Sequence, residues 1–228
     1  MAQKINPLSF RIGTIQLWNS HLQTYGKLKH SYSSILNGYL NSYEYLNRIF
    51  SLSGFLVDHQ EWKIGKSSVK LNVYYQTFPY ALVQKNFEKI LSLLKVLFLG
   101  KIFLRLYLKS PWSLSNTLVA SYVQYLMSVN TPSKRILLNL KKFLIIHMNS
   151  KKISFFKYGI VNLKLTGFKL HISGRIEDSK NQMAKSLEEA SGSLPLTSMK
   201  RYVVYTKDHI YTKSGVCGLK VWLFYEIY

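Results

Sequence analysis

The sequence predicts an α+β fold in two domains. Apolar spacing in the first half follows the order α-β-β-α-β, which closes into a compact α+β unit. The stretch "KSPWSLS" (Lys109–Ser115) interrupts that pattern and is the expected boundary. Beyond it come two helical segments and then a strand-rich remainder. A chain of 228 residues is long enough to give each part its own core.

The first residues carry turn signals at Asn6-Pro7 and Gly13 with basic groups at Lys4 and Arg11, which suggests an extended arm over residues 1–20. "YSSILNGYLNSYEYLNRIF" (Tyr32–Phe50) has helical spacing. Strand-like runs follow in "GFLVDHQEW" and in "SVKLNVYYQ", where Val69, Leu71 and Val73 alternate. A turn at Phe78-Pro79, a helix near Gln84–Leu99 and a strand at Lys101–Leu108 complete a first domain over residues 21–108. In the second, over residues 109–228, helices are expected at Leu114–Val129 and Ser133–Met148. Then come a strand at Gly159–Ile176, a short helix at Gln182–Ala190, and strands at Lys200–Thr206, His209–Lys213 and Leu219–Ile227. The alternation changes phase at Gly167, as a β-bulge would make it. In the last strand Leu219, Val221 and Leu223 are expected on one face, with Lys220 and Trp222 on the other.

Charge narrows the function. Against 10 acidic residues stand 31 Lys and Arg, a net charge of +21. Such an excess repels itself in a compact fold and calls for a polyanionic partner. Between Glu88 and Glu177 there is no acidic residue, and the stretch is studded with lysine and arginine. One-signed surface of that length suits phosphate. The Ser133–Met148 segment shows how: Ile136, Leu137, Leu140, Phe143 and Leu144 share one arc, and Lys134, Arg135, Lys141 and Lys142 lie opposite as a cationic stripe.

Other functions lose support. Cys217 stands alone, so no disulfide framework exists, and it reads as a small packed residue. The six histidines form no i, i+4 pair, so no metal site or cofactor is expected. "IGKSS" resembles a phosphate loop, but Gln60 stands where that motif needs glycine. Glu188 and Glu189, adjacent on the expected helix, point apart and do not suit acid–base work. No catalytic residue is expected. In "ILSLLKVLFLGKIFLRLYL" (Ile90–Leu108) Lys95, Lys101 and Arg105 interrupt the apolar run, so no membrane insertion is expected. The start does not read as a signal or transit peptide, and the Lys, Tyr, Phe, Ile and Asn bias fits AT-rich codons, as in an organelle-encoded gene or an AT-rich bacterium.

Separated blocks resemble one family, the small-subunit ribosomal protein three. "QKINPLSFRIGTIQLWNS" (Gln3–Ser20) is similar to its opening at Gln3, Lys4, Pro7, Arg11, Gly13, Trp18, Asn19 and Ser20. "ISGRI" (Ile172–Ile176) resembles its serine-glycine-arginine signature and "GSLPL" (Gly192–Leu196) its Gly-x-x-Pro-Leu turn. "YTKDHIYTKSGVCGLKVWLF" follows its ending without a gap through Tyr205, Gly215, Gly218, Lys220, Val221 and Trp222.

The resemblance implies an α+β protein of the small-subunit head: an N-terminal KH-like domain of type II, and a C-terminal α+β domain with a mixed sheet and helices. It implies binding to small-subunit rRNA, contact with small-subunit proteins ten and fourteen, and a place on the mRNA entry path. Candidate RNA contacts are Lys4 and Arg11 in the arm, and Lys134, Arg135, Lys141 and Lys142 in the stripe. To these are added Lys151, Lys152, Lys169, Arg175, Lys200 and Arg201. The chain departs from the family where the KH module clamps RNA with a Gly-x-x-Gly loop: Gln84, Lys85, Asn86 and Phe87 stand there, so the clamp is expected to be lost. Residues between His147 and Tyr158 look like an insertion. These departures and the codon bias favour a mitochondrial form, in the matrix, ahead of a plastid or bacterial one. The competing readings are a free-standing organellar RNA-binding or RNA-processing factor and a peripheral membrane protein.

Overall fold

A computed structural model describes residues 5–17, 29–52, 55–64, 68–77, 92, 95, 101–109, 112–156, 159–176 and 183–228. The chain divides into two compact units, one of residues Asn19–Ser110 and one that joins Met1–Trp18 to Pro111–Tyr228.

In the Asn19–Ser110 unit, helix α1 (Lys29–Leu52) is followed by strands β1 (Phe55–Ile64), β2 (Ser68–Thr77) and β3 (Lys101–Leu108). β1 and β2 pair antiparallel, and β3 joins β2 in parallel, so this sheet is mixed. Alternation decides the core. Leu71 and Val73 of β2 meet Leu46 and Phe50, one helical turn apart on α1, and Phe55 closes the cluster. β1 and β2 slip register between Val57 and Gln60, an irregularity that carries Asp58 and His59. There Asp58 is buried, pairs with Lys109 and accepts a 2.8 Å bond from His59 Nδ1. Of the helix expected near Gln84–Leu99, only Ser92 and Lys95 are described, and both are helical. Gln84, Lys85, Asn86 and Phe87, expected at the clamp loop, lie outside the described residues, as does Lys4.

In the second unit a single 3-10 turn (Trp112–Leu114) leads into α2 (Asn116–Ser128) and α3 (Ser133–Ile146), separated by Thr131-Pro132. Five strands follow: β4 (Lys151–Phe156), β5 (Gly159–Gly174), β6 (Lys185–Gly192), β7 (Tyr202–Thr212) and β8 (Gly215–Ile227). The order is β4-β5-β8-β7, with β6 on the half of β5 that β4 leaves unpaired. Every pairing here is antiparallel, so the mixed sheet expected in this part lies in the other unit. Short connections favour antiparallel pairing for β4–β5, β5–β6 and β7–β8, since parallel neighbours need long crossovers.

The bulge falls where the sequence phase changes. Register between β5 and β8 shifts between Leu165 and Gly167, so Leu163, Leu165, Phe168, Leu170 and Ile172 all reach the same core. The helices supply Val119, Ala120 and Val123 from α2 and Leu137, Leu140 and Leu144 from α3. Cys217 is packed in that core, its thiol 3.4 Å from the Arg175 carbonyl.

Two expectations are corrected. The helix at Gln182–Ala190 is instead strand β6, although Ala184, Leu187, Glu188, Glu189 and Ala190 favour a helix. The open half of β5 offers a full ladder of backbone partners, and tertiary pairing overrides local propensity. The strands expected at Lys200–Thr206 and His209–Lys213 are one continuous strand, β7, because β8 pairs with it from Tyr202 to Thr212. The apparent insertion after His147 supplies β4, a hairpin partner for β5.

Candidate nucleic-acid interface

The cationic helix face is present. On α3, Ile136, Leu137, Leu140 and Leu144 are buried, while Lys134, Arg135 and Lys142 are exposed on the other side. Lys141 differs from them: its ammonium donates to Glu189 on β6 at 2.8 Å. Glu189 reaches it because a strand sends adjacent side chains to opposite faces. Its neighbour Glu188 therefore points the other way, and accepts from Lys169 at 2.8 Å.

At the start of α3 a cleft of about 270 Å³ is lined by Lys134, Arg175 and Lys213 together with Ser133 and Ser214. Two expected contacts, distant in sequence, thus meet there. Lys213 was missed by sequence reasoning. It sits in the β7–β8 turn, and nothing in its local pattern signals that the turn returns to α3.

The structure removes Arg11 from the RNA-facing set. Its side chain is fully buried, and its guanidinium donates to five backbone carbonyls: Pro7, Pro195, Leu196, Ser198 and Arg201. Burial pushes its pKa down. Gln16 adds a 2.7 Å bond to the Val203 carbonyl, so the described part of the expected arm, residues 5–17, is turn-rich and folded onto its own unit rather than extended. The reason is geometric: one planar fork can serve several carbonyls, and the loop over residues 193–201 presents them in a cluster.

The remaining candidates divide similarly. Arg201 pairs with Glu226. Lys152 is half-buried, 3.4 Å from the Leu114 carbonyl and 5.7 Å from the Tyr225 ring centre. Lys151 is exposed over the Tyr228 ring, and Lys200 is exposed. Among the described residues, no cluster of three His, Cys, Asp or Glu could hold a metal, and no helix is long and apolar enough to cross a membrane.

Residues 154–223, which form most of the five-stranded sheet, match the family model "Ribosomal protein S3, C-terminal domain". Across 227 residues the chain is 41% identical to small ribosomal subunit protein uS3m of Chondrus crispus, covering 99% of this chain and 94% of that one. The chain belongs to the uS3 family. More distant uS3 relatives match along the same length. The uS3 of Alteracholeplasma palmae is 26% identical, covering 99% of this chain and 84% of that one. The uS3c of Epifagus virginiana is 25% identical over 99% of both chains. As a uS3 protein it is a structural ribosomal component and not an enzyme.

Proposed function

We propose that this uS3 protein is a structural constituent of the small subunit of a mitochondrial ribosome, in the matrix, where it binds rRNA and contributes to the mRNA entry path. The observation that carries this is the 41% identity to a uS3m protein over 99% of the chain. The chemistry agrees: Lys134, Arg135 and Lys142 on α3 and Lys213 beside its N-terminal cleft bring positive charge together on one part of the surface. Order α1-β1-β2 and then β3, with a parallel β2–β3 pair, supports a KH-like first domain. The Gln84–Phe87 substitutions argue that its RNA clamp is lost. Small-subunit proteins ten and fourteen are the proposed neighbours, by family resemblance.

Sedimentation tests this. Tagged protein should travel with the small subunit through a gradient and resist a high-salt wash. Protein that stays at the top of the gradient with non-ribosomal RNA would be a free-standing RNA-processing factor instead.

A further inference from the structure

The helices cover one face of the five-stranded sheet, and the opposite face carries an arrangement that the charge pattern alone did not reveal. Directly opposed residues of an antiparallel ladder share a face. One row across β7, β8 and β5 is therefore Tyr205, Trp222 and Lys169. The next row is Lys207, Lys220, His171 and, on β6, Glu188. Leu219, Val221 and Leu223 are buried against the helices, which places Lys220 and Trp222 on the open side.

Two features of this face need a partner. First, Lys207 and Lys220 stand directly opposite one another, a like-charged pair that weakens a sheet. Among the described residues no carboxylate pairs with either. The one acid in the row, Glu188, is already engaged by Lys169 at 2.8 Å and lies 3.5 Å from His171 Nε2. Second, the aromatic pair beside them is incompletely covered. Tyr205 and Trp222 are half-buried, their ring centres 5.2 Å apart, with the Lys169 ammonium 5.7 Å from the Trp222 ring centre.

We propose that this open sheet face is a platform for single-stranded RNA, on which Lys207 and Lys220 hold successive phosphates while Tyr205 and Trp222 stack an unpaired base. Aromatic rings beside unneutralised cations are the combination that single strands use, because every base has a π-face and every linkage a charge. A duplex would satisfy the lysines but keep its bases stacked inside. An acidic protein segment would satisfy the lysines and leave the rings without bases. The inference rests on the ribosomal reading only for the class of ligand.

The test uses the full chain with two probes, a fluorescein-labelled oligouridylate and a hairpin duplex RNA. Lys207→Gln/Lys220→Gln should lower the log–log salt slope for oligouridylate by about 1.4, at roughly 0.7 per lost phosphate contact. Its thermal stability should hold or rise, since a repulsion is removed. Tyr205→Leu should weaken oligouridylate by about fivefold or more and leave the duplex unaffected. If wild type binds with a steep salt slope and the lysine variant matches it, the platform is overturned and the ribosomal reading stands. If wild-type binding is insensitive to salt, both fall. A lysine variant that binds RNA normally but is lost from purified subunits would mean a protein occupies the face, which also overturns the inference.

Discussion

Arg11→Ala separates a structural cation from an RNA-binding one. Four of its bonds lie at 2.7–3.0 Å, to the carbonyls of Pro7, Leu196, Ser198 and Arg201. A bond to a charged group contributes about 1.5–3 kcal/mol, so simple addition gives roughly 6–12 kcal/mol. That sum is too large, because folding also desolvated the guanidinium and carbonyls released near the surface regain water. Each carbonyl left buried and unpaired costs about 1–3 kcal/mol, and with some of the four regaining water the expected loss is about 3–5 kcal/mol. At roughly 2–4 °C per kcal/mol for a chain of this length, the melting temperature should fall by about 6–20 °C. Arg11→Lys should recover only part of this, since one ammonium cannot span the carbonyls a planar fork reaches. Thermal melts and RNA filter binding, run on the same preparations, provide the assay. Stability should drop while the salt slope of RNA binding among folded molecules stays unchanged. Unchanged melting with a slope reduced by about 0.9 would show that Arg11 meets phosphate, and would refute the reasoning.

Asp58→Asn should destabilise the Asn19–Ser110 unit by on the order of 3 kcal/mol at neutral pH, as read by urea unfolding. Burial would raise the Asp58 carboxyl, but the His59 bond and the Lys109 and His59 charges outweigh it and hold the group well below the usual carboxylate range. A depressed folded-state value means stability that is complete at pH 7 and fades as pH falls below about 4, so wild type should show an acid-sensitive limb that Asp58→Asn lacks. Gly167→Ala should disrupt the bulge, because a Cβ there would collide with the Ser193 carbonyl oxygen and lie 2.9 Å from its nitrogen. Hydrogen exchange should show lost protection in β5 and β6, and full protection would contradict the geometry. Neutralising Lys134, Arg135 and Lys142 to Gln should leave melting nearly unchanged and reduce the RNA salt slope by roughly 0.7–0.9 per contact removed. Lys141→Gln, by contrast, loses its partner Glu189 and should cost about 0–1 kcal/mol with little change in slope.

What the sequence disclosed depended on how local each signal was. The α3 face was readable because Ile136, Leu137, Leu140 and Leu144 recur with the helical period inside one segment. The phase change at Gly167 and the two faces around Lys220 were readable for the same reason, being alternation along one strand. β6 was not, since its residues prefer a helix and only the vacant half of β5 decides otherwise. Arg11 misled because a basic residue among turn signals looks solvent-facing, and its carbonyl partners are more than 180 residues away except for Pro7. The lysine pair was hidden similarly: Lys207 and Lys220 become neighbours only through the β7–β8 register.

The distribution of acids bears on how this fold tolerates a net charge of +21. Of the described carboxylates, Glu44, Asp58, Glu188, Glu189 and Glu226 each lie within ion-pair distance of a lysine or arginine, and Glu61 lies 3.5 Å from His59. Asp208 is the exception, and its burial pushes its pKa up, so it favours the charged form less than an exposed acid does. The internal anions are therefore already committed, and the exposed cations on α3, around the cleft and on the open sheet face repel one another across the same unit. Outside neutralisation is the remaining way to relieve that repulsion. At low ionic strength the Debye length is about 30 Å, comparable with the protein itself, and at 0.1 M it shrinks to about 10 Å. Screening should therefore stabilise the isolated protein: its melting temperature should rise between low salt and about 0.1 M sodium chloride, before any specific ion effect. A short structured RNA at low salt should do the same at far lower concentration, because binding to the folded state alone shifts the equilibrium. A melting temperature that falls with salt would mean that attractive ion pairs outweigh repulsion, contrary to the pairing observed here.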